Sequence, residues 1–133
     1  GRTVIVTGTG NNGSQPWHAG GILQQGKTEE IQLAVGAFEP TLNVQLWKDY
    51  EDEMEIYLEH PAGERVGPLF ETLGAQRWQA GNTKLLIYYG KPAPYHVTQE
   101  IYVDFLPQDE KTPYVDSGVW KIILAARNIK NGE

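Results

Sequence analysis

The sequence predicts an all-β protein, a β-sandwich of about eight antiparallel strands. Short runs of β-branched and aromatic residues recur roughly every 8 to 12 residues, with Gly, Pro, Asn or Asp between them. No segment has the pattern of a helix of three turns. With 133 residues, 40% of them hydrophobic, the chain is long enough to bury one core. We therefore expect most of it to form a single sandwich without internal repeats.

The strands follow one another along the chain between proline- and glycine-containing turns, where proline fixes φ and glycine allows positive φ. In the strand 53–59, Met54, Ile56 and Leu58 alternate with three glutamates and Tyr57, which is typical of a strand with one wet face. The predicted turns include 60–63, 90–94 and 107–110. The predicted strands are 3–7, 30–35, 42–46, 53–59, 66–70, 83–89, 99–106 and 119–125.

The beginning of the chain differs from the rest. Residues 3–7 form a continuous run without polar alternation, which is typical of a strand buried on both faces of a parallel sheet. The glycines of 8–13 match the dinucleotide-binding pattern Gly-x-Gly-x-x-Gly. That pattern needs a helix beginning at its last glycine, and Pro16, Gly20 and Gly21 are poor helix-interior residues. We therefore do not expect nucleotide binding or any other cofactor.

Charge and composition exclude several partners. A formal net charge of −6 and a pI near 5.0 give no attraction for nucleic acid or anionic membranes. The absence of cysteine excludes disulfides and thiolate zinc sites. The chain has no apolar run near the roughly 20 residues of a membrane span, and its first residues are not those of a signal peptide. We expect neither nucleic acid nor membrane as a partner.

Residues 4–13, Val-Ile-Val-Thr-Gly-Thr-Gly-Asn-Asn-Gly, also allow a second interpretation. They resemble the segment of subtilisin-like serine proteases in which a central strand ends in a Gly-Asn pair, and Asn11 matches the oxyanion-hole asparagine. From these ten residues alone, an Asn-Gly-rich turn is an equal alternative. The resemblance continues downstream, where the chain is similar to a group of clostridial subtilases at 18–21, 46–47, 58–63, 99–103 and 117–122.

In that group, which includes proteases linked to spore germination, a jelly-roll domain is inserted after the oxyanion asparagine. The resemblance implies that residues 1–13 are a fragment of the catalytic domain, with the first strand belonging to its α/β sheet. Residues 14–133 would then be the inserted jelly-roll β-domain. It further implies a secreted or spore-associated parent that hydrolyses peptide bonds through a serine acyl-enzyme, with Asn11 stabilising the oxyanion.

The partners implied are the rest of the catalytic domain and a protein substrate or sister protease. A strand cut from its parent sheet has unpaired backbone groups, so residues 2–8 should add to an edge of the sandwich or pair with another molecule. A homodimer through this strand is one expected outcome.

The catalytic triad is expected to lie outside this chain. The two serines, Ser14 and Ser117, are not in the Gly-Thr-Ser setting of the family's nucleophile. None of the three histidines, His18, His60 and His96, is in the family's His-Gly-x-His setting. We therefore expect the isolated chain to be inactive.

A calcium site is the one metal site that the sequence suggests, and the signal is weak. Asp49, Glu51 and Asp52 lead a group of five carboxylates that ends at Glu55, and calcium prefers oxygen ligands. The spacing is not that of an EF-hand, and a solvated acidic rim is the better interpretation. We therefore predict no metal.

The alternative function is an autonomous carbohydrate-binding or adhesion module, since jelly rolls also serve as lectins. The aromatic residues that would stack on a sugar must be exposed. Among the tryptophans, Trp17, Trp47, Trp78 and Trp120, we expect Trp47 and Trp120 in the core and Trp78 at the surface. Only one of Tyr88 and Tyr89 can point inward, because successive strand residues face opposite sides.

Overall fold

The computed structural model describes residues 2–10, 17–23, 28–49, 53–72, 74–90 and 98–128. For residues 2–10, 17–23, 49 and 127–128, it describes the backbone alone. Within these ranges the chain has no helix, and so no helix that could cross a membrane. The strands are β1 (Arg2–Gly10), β2 (Trp17–Leu23), β3 (Thr28–Val35), β4 (Leu42–Asp49), β5 (Glu53–Glu59), β6 (Arg65–Val66), β7 (Gly74–Ala80), β8 (Thr83–Tyr89), β9 (Thr98–Pro107) and β10 (Gly118–Asn128).

The strands form two antiparallel sheets that pack face to face, which confirms the predicted β-sandwich. One sheet has the order β2-β1-β4-β9-β8-β7, and the other has the order β3-β10-β5-β6. The rings of Phe105 on β9 and Trp120 on β10 join the sheets, with centroids 5.0 Å apart in an edge-to-face arrangement. Edge-to-face packing is a favoured geometry for aromatic pairs.

The core lies between the sheets and is built by strict alternation of buried and outward residues. In β5, Met54, Ile56 and Leu58 are buried and the residues between them are partly exposed, as predicted. The same pattern holds in β8 and β9. The largest fully buried side chains are Trp120, Tyr89, Phe105, Met54, Leu58, Leu85, Ile87, Ile101, Ile122 and Leu124.

Two strands were not predicted. The inward positions of β7 are Gly74, Gln76, Trp78 and Ala80, so this edge strand has one large apolar residue and lacks the pattern of a strand. Strand β2 contains a Gly-Gly pair and reads as a loop, yet it pairs with β1 along its whole length. Both strands lie at the edges of the larger sheet. Pairing with a neighbour, and not local propensity, determines these two strands.

The predicted strand 66–70 is wrong, because pairing with β5 stops at Val66. Gly67 has a φ of +131°, and Pro68 has no N–H to donate to a ladder. The chain then runs irregularly, although the Leu69 N–H still donates to the Ile56 carbonyl over 2.9 Å.

Strand β1 lies inside the sandwich sheet and not in a parallel sheet. It pairs antiparallel with β4 on one side and with β2 on the other. Addition to an edge of the sandwich was one of the two outcomes expected for this strand. A dimer through β1 would require β2 to separate from it. The division of the chain at residue 13 remains a prediction.

Candidate functional site

Several of the predicted site residues lie outside the described residues. Asn11 is one of them; the strand before it, β1, ends at Gly10, which pairs with Leu42 at the start of β4. Glu51 and Asp52 are also outside. Asp49 is described in its backbone, at the end of β4. Among the described residues, no group of three His, Asp or Glu side chains could hold a metal ion. The oxyanion and calcium predictions therefore remain predictions.

A polar cluster joins three connections at one end of the sandwich. His60 follows β5, Asn82 and Thr83 lie at the β7–β8 turn, and Asp116 precedes β10. The Asp116 Oδ2 atom lies 2.7 Å from the His60 Nε2 atom and accepts the Asn82 backbone N–H over 2.8 Å. The Asp116 backbone N–H donates to the Thr83 hydroxyl over 3.0 Å. This His60–Asp116 cluster therefore fixes three loops relative to one another.

The hydrogen bonds of His60 determine what the ring can do. Its Nδ1 atom accepts the Ala62 backbone N–H over 2.9 Å, so in the neutral ring the Nε2–H group donates to Asp116. Both ring nitrogens are therefore already engaged in hydrogen bonds. A general base in a serine triad needs one nitrogen for the serine hydroxyl. Ser117 is next to Asp116 in the chain, but His60 has no ring nitrogen available to act as its base. The His60–Asp116 cluster therefore has a structural role, and we call it the lock.

Contacts with Trp120 and Gly81 also hold this lock in place. The rings of His60 and Trp120 lie edge to face at 4.9 Å, and the Trp120 indole N–H donates to the Asp116 carbonyl over 2.9 Å. A Cβ atom added at Gly81 would lie 2.5 Å from the His60 Nε2 atom and 2.7 Å from the Asp116 Oδ2 atom. Glycine at position 81 is therefore needed for the close approach of the β7–β8 turn.

The Asp116 carboxyl loses its proton more readily than an ordinary aspartic acid does, because its pKa is lowered. Burial raises the pKa of Asp116, but the hydrogen bonds from His60 and from the Asn82 backbone outweigh burial, and the pKa is lowered from 3.8. The charged form is the one that accepts both hydrogen bonds. The lock is therefore strongest when Asp116 is ionised.

A second group of polar and aromatic side chains lies on the outer face of the larger sheet, where residues alternate with the core positions of β4, β8 and β9. Tyr88 and Tyr102 are paired across β8 and β9, and Trp47 is paired with Glu100 across β4 and β9. Tyr88 is 50% exposed. We call Trp47, Tyr88 and Tyr102, with the neighbouring Asn43, Gln45, Glu100 and Asp104, the aromatic face.

Polar contacts hold parts of the aromatic face in place. The Tyr102 hydroxyl donates to Glu100 Oε2 over 2.6 Å, and the Asn43 amide donates to Asp104 Oδ1 over 2.6 Å. The hydrogen bond to Glu100 raises the pKa of Tyr102 above 10.0, so the phenol remains a donor. These four residues were not predicted as site residues from the sequence. The signal was present, because the outward positions of 99–106 combine acidic residues with a tyrosine.

The structure corrects two of the predicted aromatic positions and confirms two others. Trp120 is buried, as predicted, and one of the two adjacent tyrosines points inward, as predicted; it is Tyr89, while Tyr88 is exposed. Trp47 is not a core residue: Leu42, Val44 and Leu46 take the inward positions of β4, so Trp47 faces outward. Trp78 is not an exposed residue, because it is half-buried against the core and contacts the ring of Phe70.

The outer face of the smaller sheet has a different character. Glu59 accepts hydrogen bonds from Arg65, and Lys121 lies 3.7 Å from Glu30 and 3.8 Å from Glu59. The Arg65 guanidinium also lies 5.8 Å from the centre of the Tyr57 ring. These exposed pairs contribute little stability, since solvent screens them. They form a solvated charged surface.

Comparison with known proteins gives a likeness in structure. No protein-family model matches the chain, and no curated protein matches it in sequence. The structure is similar to that of the Clostridium perfringens CspB protease, with a TM-score of 0.70 and 23% sequence identity. The similarity covers 80% of this chain and 22% of the protease, so the chain spans about a fifth of the length of that protein. This chain therefore has the fold of a part of that protease.

Proposed function

We propose that this chain is a β-sandwich domain of a subtilisin-like serine protease, and that it assists the catalytic domain without performing the chemistry. The observation that carries the proposal is the structural likeness over 80% of the chain to a part of the CspB protease. The resemblance of residues 4–13 to the oxyanion segment of subtilases points in the same direction.

The chemistry of the parent would be peptide-bond hydrolysis through a serine acyl-enzyme. In that reaction a carbonyl oxygen becomes negative as the acyl intermediate forms. The Asn11 side-chain amide would donate a hydrogen bond to this oxygen. The triad would come from the flanking sequence, and the commitment of both His60 ring nitrogens to hydrogen bonds within the lock agrees with this.

The accessory role would be support of the fold and of substrate access. The His60–Asp116 cluster joins three connections at one end of the sandwich through part-buried hydrogen bonds, which would make that end rigid. A rigid insert can hold the catalytic elements on either side of it in a fixed geometry. Contacts with a protein substrate or a sister protease are compatible with this role.

The test compares two adjacent asparagines in the complete gene product. The Asn11→Ala variant should lower kcat for a casein-derived fluorogenic peptide by about 10² to 10³, the loss known for the oxyanion asparagine of a subtilisin, with little change in KM. Asn12→Ala is the matched control and should retain most of the activity. Equal kcat values for the two variants, or peptide hydrolysis by residues 1–133 alone, would overturn the proposal.

A further inference from the structure

We propose that the aromatic face binds a neutral, extended polysaccharide. This goes beyond the protease function and does not depend on it, because the residues concerned lie on strands β4, β8 and β9 of the sandwich itself.

The three rings lie on the same side of the larger sheet. Tyr88 and Tyr102 are directly opposite each other, a relation that places their Cβ atoms about 5 Å apart. Trp47 is diagonal to Tyr102, at about 7 to 8 Å. On its other side Tyr88 is paired with the small Ala75, which leaves the ring open to a ligand. The three rings therefore form a diagonal strip across three strands, and such a strip can contact the apolar faces of successive sugars in an extended chain.

The polar groups beside the rings can bind hydroxyl groups. Glu100 accepts from the Tyr102 hydroxyl and Asp104 accepts from the Asn43 amide. A carboxylate has about four acceptor positions, so each retains acceptors for further donors. Gln45 lies beside Tyr102 and is half-exposed. Sugar hydroxyls, which are dense donors and acceptors, match this arrangement of acceptors at the edges of aromatic rings.

The charge of the face selects the class of partner. Glu100 and Asp104 repel anionic ligands, and the whole chain carries a net charge of −6. Each carboxylate already has a neutral donor from its own sheet, so neither requires a cationic ligand. The central parts of protein–protein interfaces are poor in Glu and Asp. Carboxylates beside the rings therefore favour a neutral polyhydroxyl ligand over a protein surface.

The experiment uses the 133-residue chain in native gels containing hydroxyethylcellulose or soluble xylan, followed by calorimetric titration with cellohexaose and xylohexaose. We expect retardation in at least one gel and a measurable affinity for the matching hexasaccharide. Tyr88→Ala should weaken that affinity by about tenfold or more, because it removes a stacking ring without removing a core residue. Tyr102→Phe should weaken it less, because it retains the ring.

Tyr114→Ala is the matched control, because Tyr114 is a tyrosine of similar exposure that lies in the connection before β10. This variant should bind as the unmodified chain does. The proposal is overturned if no polysaccharide retards the chain, or if Tyr114→Ala weakens binding as much as Tyr88→Ala. It is also overturned if light scattering shows a dimer that Tyr88→Ala dissociates, since the face would then bind a second copy. The protease function would be unaffected by any of these results.

Discussion

Replacing Asp116 with alanine should lower the free energy of unfolding by about 2 to 4 kcal/mol, because it removes the acceptor at the centre of the lock. The carboxylate accepts one hydrogen bond from His60 at 2.7 Å and one from the Asn82 backbone at 2.8 Å. Hydrogen bonds to a charged group contribute about 1.5 to 3 kcal/mol each when well buried. The Asp116 side chain is 26% exposed, so water replaces part of the lost interaction and the sum falls below the upper limit.

The assay is urea unfolding followed by tryptophan fluorescence, which reports on the lock because the Trp120 ring packs against His60. Asp109→Ala is the control. The Asp109 carboxylate, in the same connection, accepts the Lys111 backbone N–H in an exposed turn, and its loss should cost no more than about 1 kcal/mol. If Asp116→Ala costs no more than Asp109→Ala, the lock does not stabilise the fold and the reasoning is refuted.

Three further results are expected. Because the pKa of Asp116 is lowered, its contribution to stability is complete above about pH 4 and is lost as the pH falls through that pKa. In urea titrations, the difference in unfolding free energy between the unmodified chain and Asp116→Asn should therefore shrink in acid. A difference that stays constant with pH would show that the lock is absent. Gly81 has a φ of +56°, and a Cβ atom added there would lie against the lock. Gly81→Ala should therefore lower the free energy of unfolding by about 2 to 4 kcal/mol in urea titrations, and by less in a His60→Ala background. An equal cost in both backgrounds would show that the clash is not with His60. Tyr89→Ala should cost about 3 to 5 kcal/mol in the same assay and Tyr88→Ala less than about 1, because the first is buried and the second is half-exposed; similar costs would contradict the assigned faces of β8.

The sequence was sufficient to predict the sandwich because most strands have a run or an alternation of apolar residues that shows which side chains are buried. Met54, Ile56 and Leu58 alternate with three glutamates and a tyrosine in β5, and one of two adjacent tyrosines had to face inward in β8. The edge strands β2 and β7 carry little such signal, since glycine, alanine and glutamine fill positions that central strands give to large apolar residues. Their strand structure comes from pairing with a neighbour that is itself recognisable.

The candidate sites were less accessible to sequence reasoning. His60 and Asp116 are 56 positions apart in the chain, and only the fold of three connections brings them together. The outward position of Trp47 could have been deduced, because Leu42, Val44 and Leu46 fix the phase of β4. A large aromatic residue at the end of an apolar run suggested burial, but in a strand the phase decides the face.

The measurement that tests the protease function most directly is the coding sequence on both sides of this segment, read outward until the frame ends. The proposal predicts Asp and His-Gly-x-His motifs upstream and a Gly-Thr-Ser motif downstream, which would place Asn11 in the oxyanion hole of the encoded enzyme. A frame that closes near Gly1 and Glu133 would contradict the proposal, and the chain would then be a free-standing binding module.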